Sequence, residues 1–195
     1  TFGGFRHYTP PQLVPEVTPY TIFVDGISKA FAATGLRVGW TVAPPGITAK
    51  MRDILGHVGA WAPRPEQIAV AKFLGMRAEI DEFHETMIRE LQLRLDLLYD
   101  GIDAMRREGL PVRAITPQGA IYLFVQFDLI GRGAIATNEQ IRRLLLDDAG
   151  FAVVPFQAFG LPQETGWFRL SAGAVSPGQI EAGLARVRNV LARFA

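Results

Sequence analysis

From about Arg77 to Arg107, apolar residues recur every three or four positions: Ile80, Phe83, Met87, Leu91, Leu95, Leu98, Ile102 and Met105. That period puts them on one side of a single long amphipathic helix, stopped by Gly109-Leu-Pro111. Nearer the start the pattern is different. Tyr20–Val24 and Leu36–Ala43 are apolar at nearly every position. Such runs predict short buried strands, covered on both faces as in a largely parallel sheet. The first ends at Asp25-Gly26 and the second at Pro44-Pro45-Gly46, with a turn-like segment over Ile27–Gly35 between them. Thr1–Pro19 holds Pro10, Pro11, Pro15, Pro19 and the pair Gly3-Gly4, and reads as an irregular loop. So long an unstructured opening is the mark of a chain that begins in the middle of something.

Thr48–Gly56 predicts a short helix, and Pro65 suits the first turn of another running to about Leu74. Beyond the long helix the pattern predicts strands at Val112–Ile115 and Ala120–Phe127. A helix follows from about Asn138, capped by Thr137. Short strands at Phe151–Val154 and Trp167–Ala172 precede a terminal helix from about Gly178. The back half is a small α+β domain hung on the long helix.

Composition narrows the class. With 49% apolar and 20% charged residues, the 195-residue chain can bury a core. Twenty Lys and Arg against nineteen Asp and Glu, with no block of either sign, give no support for nucleic-acid binding. The absence of cysteine excludes disulfides, thiolate metal sites and cysteine nucleophiles, and fits a cytoplasmic protein. No apolar run approaches the ~20 residues of a membrane span, and no secretory leader is expected at Thr1. His7, His57 and His84 lack ligand spacing, so no metal is expected. Gly131-Arg-Gly-Ala-Ile-Ala136 formally fits a dinucleotide fingerprint. The next strand ends in Pro155-Phe156 where an acid is required, so it reads as a turn. No serine lies in a G-x-S-x-G elbow.

Amine chemistry has only three candidates: Lys29, Lys50 and Lys72. Lys50 and Lys72 fall on predicted helices. Lys29 lies in Gly26-Ile-Ser-Lys-Ala-Phe-Ala-Ala-Thr-Gly-Leu-Arg-Val-Gly39, on the connection between two strands, with Ser28 before it and Arg37 just inside the second strand. An ammonium against apolar walls is costly, and desolvation favours the neutral amine that attacks an aldehyde. A guanidinium can grip phosphate bidentately, with a hydroxyl alongside. Together they suit a phosphorylated aldehyde; the plainer alternative is a snorkelling lysine and a structural arginine. In Trp167–Ala172, alternation puts Trp167, Arg169 and Ser171 on one face, with Phe168 and Leu170 on the other. Arg169 needs an anionic partner there, either a substrate carboxylate or a buried Asp or Glu.

The segment Gly26–Gly39 resembles, at every position, the cofactor-lysine signature of the class I/II aminotransferases, fold-type-I pyridoxal-phosphate enzymes. The likeness continues in Thr116-Pro-Gln-Gly-Ala-Ile-Tyr-Leu-Phe124, Val153-Val-Pro-Phe-Gln-Ala-Phe-Gly160 and Trp167-Phe-Arg-Leu-Ser171. The resemblance implies that Lys29 holds pyridoxal 5'-phosphate covalently, that Ser28 and Arg37 bind its phosphate, and that Arg169 takes the substrate α-carboxylate. It implies an α/β fold. Residues 1–76 would be the remainder of a large, mostly parallel-sheet cofactor domain, 77–108 a long connecting helix, and 109–195 a small α+β C-terminal domain. The implied activity is amino-group transfer between an L-amino acid and a 2-oxo acid, in a cytoplasmic homodimer.

The family's other half should hold the phosphate loop, the aromatic residue that stacks on the ring, and the Asp for the ring nitrogen. None is in this chain, so residues 1–195 read as a C-terminal fragment that by itself does not transaminate. Carbon–sulfur lyases of the same fold are an alternative, but typically lack an arginine at the place of Arg37. Transcription regulators with an aminotransferase-like effector domain are another, and tend to carry Pro where Ala33-Thr-Gly35 stands.

Overall fold

Thr9 opens the first ordered turn: its N–H donates to Gln12 Oε1 at 2.8 Å, and Pro10 starts helix α1 (Pro10–Leu13). A 3-10 turn over Pro15–Tyr20 follows. The stretch expected as irregular is therefore partly helical, because proline's fixed φ suits the first turn of a helix. The computed structural model describes residues 1–195, which divide into two units, Arg6–Met87 and Thr1–Phe5 with Ile88–Ala195.

In the first unit, strands β1 (Phe23–Gly26) and β2 (Gly39–Val42) pair antiparallel, from Phe23↔Val42 to Gly26↔Gly39. Between them lie the one-turn helix α2 (Ile27–Ala30) and a 3-10 turn over Thr34–Leu36. This corrects the expected parallel strands. A parallel pair needs a crossover that runs the length of the sheet. Here residues 27–38 close directly on themselves, with Ile27 N–H donating to the Val38 carbonyl. Within residues 1–195 Val24 is 72% and Val42 63% exposed. Helices α3 (Pro45–Val58) and α4 (Arg64–Phe73) follow, each with proline in its first turn. A small core joins Ile27, Val38 and Val70, with Phe31, Trp40 and Leu74 against it.

Helix α5 spans Arg77–Arg107, as its apolar period predicts. Its first turns fall in the first unit and the rest in the second. The stripe is unevenly covered: Leu95, Leu98, Ile102 and Met105 are buried, whereas Phe83 and Ile88 are exposed. At its end Gly109 takes φ 88°, letting Leu110 N–H reach the Met105 carbonyl at 3.0 Å.

The second unit is a four-stranded antiparallel sheet in the order β3-β4-β6-β5. Its strands are β3 (Val112–Ala114), β4 (Tyr122–Phe127), β5 (Val154–Pro155) and β6 (Trp167–Ser171). Every strand pair in the chain is antiparallel, so the mostly parallel sheet expected for residues 1–76 is not present within it. β5 is shorter than the strand expected over Phe151–Val154. Helix α6 (Asn138–Ala149) starts at Thr137, whose hydroxyl accepts from Gln140 N–H, and α7 (Pro177–Leu191) starts at Ser176 in the same way. Leu123, Val125, Phe127, Phe168 and Leu170 point from one sheet face into a core shared with α5, α6 and α7. Alternation leaves Tyr122, Phe124, Trp167 and Arg169 on the other face. No helix is long and apolar enough to cross a membrane.

Candidate active site

In the first unit, the register of β1 and β2 places Ser28, Lys29 and Arg37. Gly26 faces Gly39 and Ile27 bonds to Val38, so the next residues on the two arms are Ser28 and Arg37, across the mouth of one loop. Lys29 follows Ser28 on α2. The strands come this close because neither paired glycine has a side chain: a Cβ on Gly39 would stand 2.9 Å from the Asp25 carbonyl oxygen. Arg37 adopts φ 54°, ψ 41°, in the left-handed region, which costs a residue with a Cβ about 1–2 kcal/mol. Its Nη1 donates to the Thr34 carbonyl at 2.9 Å, fixing the guanidinium on the loop.

Neither Lys29, Arg37 nor Arg169 takes part in an ion pair. Within residues 1–195 Lys29 is exposed and Ser28 half-buried, so this chain alone supplies no apolar walls around the amine. α2 sends Ile27 into the core, and two residues further on, about 200° around the helix, Lys29 faces outward. The backbone just after Lys29 is anchored: His84 Nε2 lies 3.0 Å from the Ala30 carbonyl oxygen. Phe31 meets both Phe73 and His84, at ring-centroid distances of 5.2 and 4.9 Å. Lys50 and Lys72 lie on α3 and α4.

In the second unit Arg169 sits mid-strand on β6, opposite Phe124 of β4 and Val154 of β5. Its guanidinium carbon lies 4.2 Å from the centre of the Tyr122 ring and 4.4 Å from that of Phe159. Its Nε is buried and has no hydrogen-bond partner. No Asp or Glu of this chain pairs with it: aromatic rings face the cation, and a donor is left unpaired. An unpaired buried donor costs about 1–3 kcal/mol unless an acceptor arrives.

The profile of the family "Aminotransferase class I and II" matches residues 2–187. The chain belongs to the class I and II aminotransferases. Among curated relatives, it is 29% identical to the aspartate aminotransferase of Geobacillus stearothermophilus over 98% of this chain and 46% of the relative. It is 32% identical to that of Rhizobium meliloti (strain 1021) over 95% of this chain and 44% of the relative. Among solved structures, the aromatic aminotransferase of Pyrococcus horikoshii OT3 superposes with a TM-score of 0.85 at 30% identity, covering 98% of this chain and 48% of that one. The aspartate aminotransferase of Rhizobium meliloti gives 0.82 at 29% identity, covering 100% and 47%. The chain thus spans about half the length of the aminotransferases it matches.

Class I and II aminotransferases use pyridoxal phosphate. The donor set at the loop mouth fits two ends of that molecule: hydroxyl and guanidinium suit the phosphate, and a primary amine suits the aldehyde. Asp25 is exposed on the same hairpin, where its Oδ1 accepts the Gly26 N–H at 2.7 Å. Sequence reasoning left Tyr122, Phe159 and His84 without roles. The first two lie within segments quoted for the family resemblance, so a signal for them was present. Nothing in the sequence marks His84, whose partner Ala30 is far away along the chain.

Proposed function

We propose that this chain is the C-terminal half of a pyridoxal-phosphate-dependent aminotransferase that moves an amino group between an L-amino acid and a 2-oxo acid. The observation that carries the reading is the loop mouth, where Ser28 and Lys29 follow the Ile27–Val38 bond on one arm, Arg37 precedes it on the other, and no carboxylate neutralises either cation. In this reading Ser28 and Arg37 hold the cofactor phosphate. Lys29 Nζ holds the aldehyde carbon and, when free, takes the proton from the substrate α-carbon. Arg169, held against the Tyr122 and Phe159 rings, grips the substrate α-carboxylate. When bound, the cofactor supplies the electron sink for the pair left at that carbon.

Residues 1–76 then belong to the large domain, 77–108 to a connecting helix and 109–195 to the small domain. The exposed Tyr20, Val24, Val42, Ile54 and Val58 support a larger assembly, because that much open apolar surface calls for a cover. The remainder of the large domain and a second subunit of a cytoplasmic homodimer would supply it. Aspartate is the first donor to assay, since the relatives are named for it.

The test is borohydride reduction of the chain with pyridoxal phosphate, followed by peptide mass mapping. Reduced cofactor on Lys29, lost in Lys29→Ala and weakened in Arg37→Ala, is expected. Labelling confined to Lys50 or Lys72 would overturn the assignment.

A further inference from the structure

Phe159 reaches Arg169 from a loop, not from a strand. The loop runs from the 3-10 turn Phe156–Phe159, through Gly160, to Gly166 at the entry of β6. Both of its ends meet one side chain. Asn138, the first residue of α6, is 1% exposed, the buried polar residue of the chain. Its Oδ1 accepts the Gly166 N–H at 2.8 Å, and its Nδ2 donates to Gln157 Oε1 at 2.9 Å. The Gly166 donor fixes which way the amide points.

Gln157 in turn donates through Nε2 to the Gln163 carbonyl at 3.0 Å and to Glu164 Oε2 at 3.1 Å. The same carboxylate oxygen accepts the backbone N–H of Asn138. It thereby satisfies an orphan donor in the first turn of α6, where a negative charge is favoured. One amide, a second amide and a carboxylate thus tie the helix start to residues 157, 163, 164 and 166. A network in which each member is satisfied holds a single geometry. None of its three side chains hydrogen-bonds to Arg169. They set where Phe159 stands.

We propose that Asn138, Gln157 and Glu164 are positioning residues, a polar clamp that keeps Phe159 against the guanidinium of Arg169. Their role in substrate binding rests on the reading of Arg169 as the carboxylate fork. The placement of Phe159 does not. Without the clamp the loop is free to lift, the guanidinium loses one of its two aromatic walls, and its edge is no longer aimed.

The experiment uses the ¹⁵N-labelled 195-residue chain. The Arg169 Nε–H signal, assigned by its loss in Arg169→Lys, should lie upfield of the other arginines because two ring centres stand within 4.4 Å of the guanidinium carbon. In Asn138→Ala and in Gln157→Ala that displacement should collapse, while the β4 and β6 amide signals stay. Should Asn138→Ala fail to fold, Gln157→Ala decides alone, since it leaves the Asn138–Gly166 bond intact. A displaced signal that survives in Gln157→Ala overturns the clamp.

Titration with acetate separates the two readings. Binding at Arg169 that weakens about 3- to 10-fold in the variants, the cost of re-ordering one side chain, supports both. Loss of the displacement in the variants, with no acetate response at Arg169 even in the parent chain, upholds the clamp and overturns the fork.

Discussion

Gly166 and Gly160 are a matched pair for testing the packing around β6. Both have left-handed backbone, at φ +71° and +87°, so alanine at either pays about 1–2 kcal/mol for a Cβ in that region. Their surroundings differ. A Cβ on Gly160 meets nothing within 4 Å, whereas one on Gly166 would stand 2.3 Å from the Phe127 carbonyl oxygen. Ordinary contact begins near 3.4 Å, so the two backbones must part by about 1 Å. That movement breaks two hydrogen bonds, Phe127 N–H to the Gly166 carbonyl at 2.9 Å and Gly166 N–H to Asn138 Oδ1 at 2.8 Å. The first is worth about 0.5–1.5 kcal/mol and the second, made to a buried amide, about 1–3. Gly166→Ala should therefore cost about 2.5–6.5 kcal/mol, against about 1–2 for Gly160→Ala. The assay is urea unfolding followed on the Trp167 indole N–H signal, because Trp40 and Trp61 lie in the other unit. With a mid-range slope of about 2 kcal/mol per molar, the two midpoints should differ by roughly 1–2 M. Equal midpoints would refute the reasoning, since strain alone would then account for both.

Three further outcomes are expected. Ile102→Ala, at a site with no solvent exposure in the main core, should destabilise the second unit by about 2–5 kcal/mol in the same assay. Arg37→Gly removes the left-handed penalty; the chain should be at least as stable by urea unfolding, yet bind pyridoxal phosphate more weakly in a fluorescence titration. Glu139 accepts hydrogen bonds from Arg142 and Arg143, which lower its carboxyl from the usual 4.5 to about 2. Its folded value lies below its unfolded one, so the stabilisation is present above about 4.5 and is lost as pH falls through about 2. ¹³C-detected titration of its carboxyl should show this, and Arg142→Gln with Arg143→Gln should return it toward the ordinary value.

Local rules made much of this protein legible before folding. The period of Ile80 through Met105 marked α5, Thr137 marked the start of α6, and proline marked the first turn of α4, because helix signals act between residues three or four apart. The spacing of Ser28, Lys29 and Arg37 was equally local, and the hairpin carries all three on one loop. What needed the tertiary structure was every feature set by distant partners. Apolar runs at Tyr20–Val24 and Leu36–Ala43 state that both faces favour burial, but not which strand pairs with which, in what direction, or what covers them. The exposure of Lys29 follows from how α2 turns Ile27 inward. Alternation put Arg169 on its face of β6, yet its neighbours come from Tyr122 and Phe159, and the loop bearing Phe159 is tied down by Asn138 on another element. A sequence carries the periodicities that short-range sterics impose, whereas side chains separated by tens of residues meet only once the sheet and its helices have packed.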